Sequence, residues 1–275
     1  MMSILAFVLV SAAAIYFFAK RIVSVRRNIF LGREETINDR SSERWAQMTR
    51  VALGQSKMVV RPVAGFFHIL IYVGFVLINA EVLEIFIDGF TNQHRIFAPF
   101  LGAFYDVLIS FFELLALGVI IACIVFLARR WGGLKRFKGL EMQGFPTRDA
   151  AIILIVEIIL MKALFIMDAA DMKLSNGEHF FLVSSWFSFW TEWFTPAQLE
   201  TISHTAWWFH LVGIFAFLNY VPYSKHFHIF MAFPNTWYGS LDPAGKLNNM
   251  ESVKSEVKMM MDPNANPYAA TDAPL

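Results

Sequence analysis

Residues 100–128, FLGAFYDVLISFFELLALGVIIACIVFLA, form an apolar run that carries two charges, Asp106 and Glu113. A helix of about 20 such residues crosses the hydrocarbon core of a bilayer, so this run predicts a membrane span. Four more stretches qualify or nearly do: Val63–Ala80 before it, Ala150–Met167 and His204–Tyr220 after it, and Met2–Phe18 at the start. The chain is 57% hydrophobic and 16% charged, whereas soluble domains run at about 45–50% and about 25%. Its 275 residues offer too little core to hide that excess, which must be buried in lipid. The predicted fold class is an all-α membrane protein, a five-helix transmembrane bundle.

Basic residues orient the bundle. Residues 19–62 hold ten Lys and Arg, residues 129–148 hold six, and four follow Tyr223. The two other connections hold only Arg95 and Lys173. Cytoplasmic loops are enriched in Lys and Arg, so the N-terminus is expected outside and the C-terminal tail in the cytoplasm. Met2–Phe18 reads as a retained helix rather than a signal peptide, because Lys20, Arg21, Arg26 and Arg27 follow it instead of preceding it. The expected location is a bacterial inner (cytoplasmic) membrane, with the lipid bilayer as partner and no nucleic acid.

The remaining segments are shorter. Arg33–Met58 is polar with scattered apolar residues and predicts a surface helix ending near Gly54. Phe180–Phe194 holds Trp186, Trp190 and Trp193, which suits a helix lying at the outer interface. Residues 1–233 are expected to form the membrane domain and 234–275 a cytoplasmic tail. That tail has an amphipathic segment at Leu247–Met261 and a Pro-, Asn- and Ala-rich end at Asp262–Leu275, expected to be disordered. The single cysteine, Cys123, excludes a disulfide framework and any cluster held by several thiolates of this stretch; it reads as a small apolar packing residue.

Histidines carry the candidate chemistry. A histidine within a span is costly in lipid and is a functional hypothesis by default. His210 and His228 are 18 residues apart, five turns of a regular helix, hence on one face and about 27 Å apart, with a kink expected at Pro222. His68 opens the second span on the basic side, level with His228, so the pair could clamp a haem iron from facing helices. From composition alone, His68 reads more readily as an interfacial hydrogen-bonding residue, and His226 and His228 could be a basic helix cap. His226 is expected at the surface, His94 and His179 in solvated outer loops, and His204 on the same helix as His210, unable to clamp one iron with it.

The stretch His210-Leu-Val-Gly-Ile-Phe-Ala-Phe-Leu-Asn-Tyr-Val-Pro-Tyr-Ser-Lys-His-Phe-His228 resembles the last helix of the nitrate reductase gamma-subunit family of membrane cytochromes b. Gly54-Gln-Ser-Lys-Met, Arg61-Pro-Val-Ala-Gly-Phe-Phe-His68 and Gly74-Phe resemble one branch more closely: the membrane domain of heterodisulfide-reductase-like iron–sulfur oxidoreductases, which includes electron-transfer flavoprotein:menaquinone oxidoreductases. Phe233-Pro-Asn-Thr and Asp262-Pro-Asn resemble the linker that follows, so the likeness covers roughly residues 1–265.

The resemblance implies haem b held by His68 and His228 on the cytoplasmic side, and an outer haem with His210 as one ligand. The family's second outer ligand falls at Ile78, so a second haem would need His179, His94 or Met167, or His210 bonds a quinone instead. Members of the branch usually continue into a cysteine-rich iron–sulfur domain. Its absence from this sequence implies a separate cytoplasmic iron–sulfur subunit or electron-transfer flavoprotein, docked on the cytoplasmic loops and Leu247–Met261. The implied function is an electron-transfer subunit that exchanges electrons with menaquinone; the alternative is a haem-free membrane anchor that recruits a soluble reductase.

Other ionisable groups fall in or near the spans. Glu113, Glu157 and Lys162 either clamp helices together or line a proton route, and the clamp is the plainer reading. Glu81, Glu84 and Asp88, at the outer end of the second span, are expected to be solvated.

Overall fold

A computed structural model describes residues 4–34, 37–132, 144–243, 245–246 and 250–262 of the protein. Ten α-helices stand among these residues. Five are long and apolar enough to cross a membrane: α1 (Ile4–Ile29), α3 (Pro62–Thr91), α5 (Ala103–Trp131), α6 (Phe145–Leu174) and α8 (Pro196–Tyr220). The short ones are α2 (Ser41–Met48), α4 (Ala98–Leu101), α7 (Leu182–Phe187), α9 (His228–Trp237) and α10 (Glu251–Met261). No strand occurs among the described residues. Proline in the first turn, where a missing N–H costs nothing, starts α3, α6 and α8. Thr195 and Gln198 cap α8 reciprocally.

The spans close into a ring: α1 packs on α3, α3 on α5, α5 on α6, α6 on α8, and α8 on α1. Glycines let the spans approach closely: a Cβ at Gly89 of α3 would come within 2.3 Å of the Phe7 ring of α1. A Cβ at Gly74 would come within 2.6 Å of the Val119 side chain, and one at Gly213 within 2.5 Å of Leu160. The shared core gathers Phe7, Tyr105, Ile109, Leu164, Trp207 and Leu211. Apolar side chains such as Phe104, Val107, Ile121, Ile155 and Phe209 face outward, where a soluble protein would place polar side chains.

Arginines mark one end of the ring, with Arg26 and Arg27 closing α1 and Arg129 and Arg130 closing α5. The charge rule assigns this basic end to the cytoplasm. Here α2 runs into a wide π-turn at Thr49–Leu53 and stops at Gly54, and α2 packs on α9. Buried Arg44 donates to the carbonyls of Asp39, Trp237 and Gly239, and the Trp45 and Trp237 rings meet edge-on at 4.5 Å. α9 runs through residue 233, where the sequence reading ends the membrane domain. Of the amphipathic segment, Glu251–Met261 is helical, and Leu247–Asn249 lie outside the described residues, as do 263–275.

At the opposite end the aromatic run is not one helix. α7 passes into a tighter 3-10 turn at Ser188–Trp193. Phe181, Val183 and Thr191 face the core, and Trp186, Phe189 and Trp193 face outward. Glu113 fastens this segment to α5: it accepts from the Val183 amide at 2.7 Å, the Ser184 amide at 3.0 Å and the Ser184 hydroxyl. Glu113 is therefore a clamp, between a span and the interfacial turn. Glu157 and Lys162 form no ion pair with each other among the described residues.

Candidate cofactor site

The last span does not continue to His228. α8 ends at Tyr220, two three-residue turns follow at Val221–Tyr223 and Lys225–Phe227, and α9 starts at His228. The single kinked helix with His210 and His228 on one face is thus corrected to two helices. Pro222 removes a backbone donor, and the Ser224 hydroxyl accepts from the His226 amide at 3.1 Å, which starts the second turn. Asp149 in α6, fully buried, holds the break in place. It accepts from the Tyr220 hydroxyl at 2.5 Å and from the Lys225 amide at 2.8 Å.

This break swings His228 toward α3. The rings of His68 and His228 lie 6.4 Å apart, centre to centre, inclined at 45°. The His228 Nδ1–H donates to the Lys225 carbonyl at 2.9 Å. That bond fixes the tautomer and leaves Nε2 as the free electron-pair donor. His68 is half-buried, and its Nδ1 is enclosed without a hydrogen-bond partner. Both rings stand at the basic end, where Arg21 stacks over the Tyr223 ring at 4.2 Å and leaves its Nε enclosed and unpartnered.

His226 belongs to the same cluster rather than to the surface. Its ring is 5.7 Å from that of His228 and perpendicular to it, and 5.4 Å from Phe217. Burial, then the neighbouring His228, push its pKa from 6.5 down to about 4, so it is neutral at physiological pH.

His210 stands apart. It is 2% exposed, and its Nδ1–H donates to the Leu160 carbonyl at 3.0 Å in the α6–α8 interface. No other histidine ring contacts it among the described residues. Of the candidates for a second ligand, Met167 is buried in the core and the two histidines are engaged elsewhere. His179 Nδ1 pairs with Asp106 at 2.8 Å, and His94 Nε2 with Asp171 at 2.7 Å. Neither is the freely solvated loop histidine that the sequence predicts.

Two imidazoles that clamp one metal, each through a bond of about 2 Å, hold their ring centres about 6 Å apart. The His68–His228 separation has that scale. No group of three or more His, Cys, Asp or Glu residues among those described could hold a bare ion. A porphyrin brings four nitrogens of its own, so two opposed histidines suffice. The enclosed, unpartnered Nδ1 of His68 and the free Nε2 of His228 therefore fit a haem between α3 and α9, whereas His210, whose Nε2 its own Nδ1–H bond also leaves free, faces no second histidine ring among the described residues.

Sequence comparison gives the class: the chain is similar to part of an iron–sulfur-binding oxidoreductase and of a quinone oxidoreductase. It is 27% identical over 251 residues, 90% of this chain, to the probable iron–sulfur-binding oxidoreductase FadF of Bacillus subtilis. It is also 27% identical over 220 residues, 75% of this chain, to the EtfAB:quinone oxidoreductase of Syntrophomonas wolfei. The matches span 34% and 29% of those proteins, about a third of their length. No protein-family model and no solved structure matches the chain.

Proposed function

We propose that this protein is a membrane cytochrome b subunit that carries electrons between an iron–sulfur or flavoprotein partner at its basic, cytoplasmic end and the menaquinone pool of a bacterial inner membrane. The observation that carries this reading is the facing pair His68 and His228, 6.4 Å apart, in a five-span bundle. The printed names of the two relatives, an iron–sulfur-binding oxidoreductase and an EtfAB:quinone oxidoreductase, support the same chemistry.

In this reading haem b supplies the one-electron redox change. The chain's own residues position it. His68 from α3 and His228 from α9 would hold its iron. Lys225, through its carbonyl, fixes the His228 tautomer, and Asp149 fixes Lys225. Arg21 offers an unpartnered N–H at the same end, suited to a carboxylate of the macrocycle. With His68 half-buried, His228 exposed and the α2–α9 clasp beside them, the site lies close to a partner docked at the basic end. The His210 environment supports one haem per chain rather than two.

Reduced-minus-oxidised absorption of the purified protein tests the assignment. A low-spin haem b spectrum that His68→Ala and His228→Ala each abolish is expected. A colourless wild-type protein, correctly inserted, would instead identify a haem-free anchor.

A further inference from the structure

The far end of the bundle holds a second polar cluster, and all but one of its carboxylates have a structural task. Asp88 accepts from the amides of Arg95 at 2.7 Å and Ile96 at 3.1 Å. Glu84 accepts from the Phe97 amide at 3.0 Å and the Tyr105 hydroxyl at 2.8 Å. Asp168 and Asp171 on α6 bind the Arg95 guanidinium at 2.6 and 2.7 Å, and Ser203 donates to Asp171 at 2.5 Å. These bonds anchor the 92–97 loop across α3, α5, α6 and α8. Glu81, Glu84 and Asp88 are consequently 5%, 5% and 2% exposed, not solvated as their sequence position predicts.

Glu81 is the exception. Both of its carboxyl oxygens are enclosed and neither has a hydrogen-bond partner. It borders two cavities. The larger, about 140 Å³, is lined on its apolar side by Phe97, Leu101, Leu108, Ile109 and Phe112. Phe97 and Leu101 are each 38% exposed, so this cavity lies at the lipid-facing flank. The smaller, about 10 Å³ and of the size of one water molecule, is lined by Glu81, Asp88, His94, Arg95 and the unpartnered indole N–H of Trp207, among others. His94 in turn contacts Asp171 and is 41% exposed at the end the charge rule assigns to the outside.

We propose that Glu81 is a proton-transfer residue, which takes a proton from a carrier in the apolar cavity and passes it through the polar cavity to His94 and the outer aqueous face, or the reverse. An enclosed carboxylate without a donor is a costly species, so Glu81 rests as the neutral acid and holds the transferable proton. The polar groups that line its cavities are Glu84 and Asp88 on α3, His94 and Arg95 in the loop, Tyr105 on α5 and Trp207 on α8, and the charges of Asp168 on α6 and Glu113 on α5 also reach it. Arg95 is committed to two aspartates and forms no hydrogen bond with Glu81. Transfer is a proton exchange between oxygen and nitrogen acids, with no change in oxidation state. Only the identity of the carrier, a quinol hydroxyl, rests on the quinone reading above.

Infrared difference spectroscopy of the full chain in lipid nanodiscs, exchanged from H2O to D2O at neutral pH, tests this independently of haem. A protonated-carboxyl band is expected that Glu81→Gln removes and Glu81→Asp shifts; the Asp variant serves if the Gln variant does not accumulate. His94→Ala is expected to slow deuteration of that band roughly tenfold or more. A wild type without such a band, a band unchanged in both Glu81 variants, or an exchange rate indifferent to His94 would each overturn the proposal. A haem-free preparation that shows the expected bands would separate this result from failure of the cytochrome reading.

Discussion

Asp149 in α6 accepts a hydrogen bond from the Tyr220 hydroxyl, 2.5 Å away at the last residue of α8. Its other oxygen takes the Lys225 amide. One buried carboxylate thus holds both sides of the break between α8 and α9, and the break decides where His228 points.

Asp149→Asn is expected to lower haem affinity without removing either histidine. Loss of a group that orients a ligand typically costs about 10–100-fold in metal affinity. Haem-to-protein ratio after purification, and after challenge with a haem-scavenging apoprotein, measures it. Tyr220→Phe removes only one of the two bonds and should destabilise by about 2 kcal/mol, read as a lowered midpoint of thermal unfolding in detergent.

The histidines separate into two sets. His68→Ala and His228→Ala should each eliminate bound haem. His204→Ala and His210→Ala should leave one haem per chain, since neither touches the facing pair. His226→Ala should keep the haem but alter its spectrum or potential, because the His226 ring packs against His228. Pyridine haemochrome assays on the five variants check the pattern.

Glu113→Ala should loosen the interfacial turn. It strands the buried Val183 and Ser184 amides, while the Ser184 hydroxyl keeps the Phe165 carbonyl as acceptor, at a cost of ~2–4 kcal/mol. Faster hydrogen exchange confined to Leu182–Trp193 is expected, with the haem site unchanged.

The α2–α9 clasp should weaken in acid. Asp39, held by Arg44, and Glu43, held by Arg40, sit below their ordinary values of 3.8 and 4.5. Asp242, held by Lys246 and then Arg40, sits below 3.8. Groups with lowered pKa stabilise the folded form above the unfolded value and lose that contribution as pH falls through the folded one. The clasp should therefore be indifferent to pH from about 5 to 8 and loosen below about 4. These side chains are exposed, so the effect is modest and screened by salt. Fluorescence of the Trp45–Trp237 pair reports it, and Arg44→Ala should mimic it at neutral pH.

The five spans were legible because hydropathy is local: residues 100–128 read as a span without knowledge of any other segment. The buried polar residues were not. Asp88 and Glu84 look like solvated helix-end acids until the loop after Asn92 folds back and offers them its own amides. Arg95 finds its aspartates more than 70 positions later, on α6. Sequence spacing also misplaced His226, because 3.6-residue periodicity applies only to an unbroken helix, and the two turns after Tyr220 reset the phase. His68 and His228 were nominated by their position at one end of the bundle. Their facing geometry depends on Asp149, a residue that no sequence motif marked.

The most direct test of the central claim is the pairing of absorption with haem counting on the purified wild-type chain in detergent. One haem b per chain is expected, with the reduced spectrum of a low-spin, bis-histidine centre, and none in His68→Ala. A folded wild-type protein without haem, or a His68→Ala variant with its full complement, would contradict it.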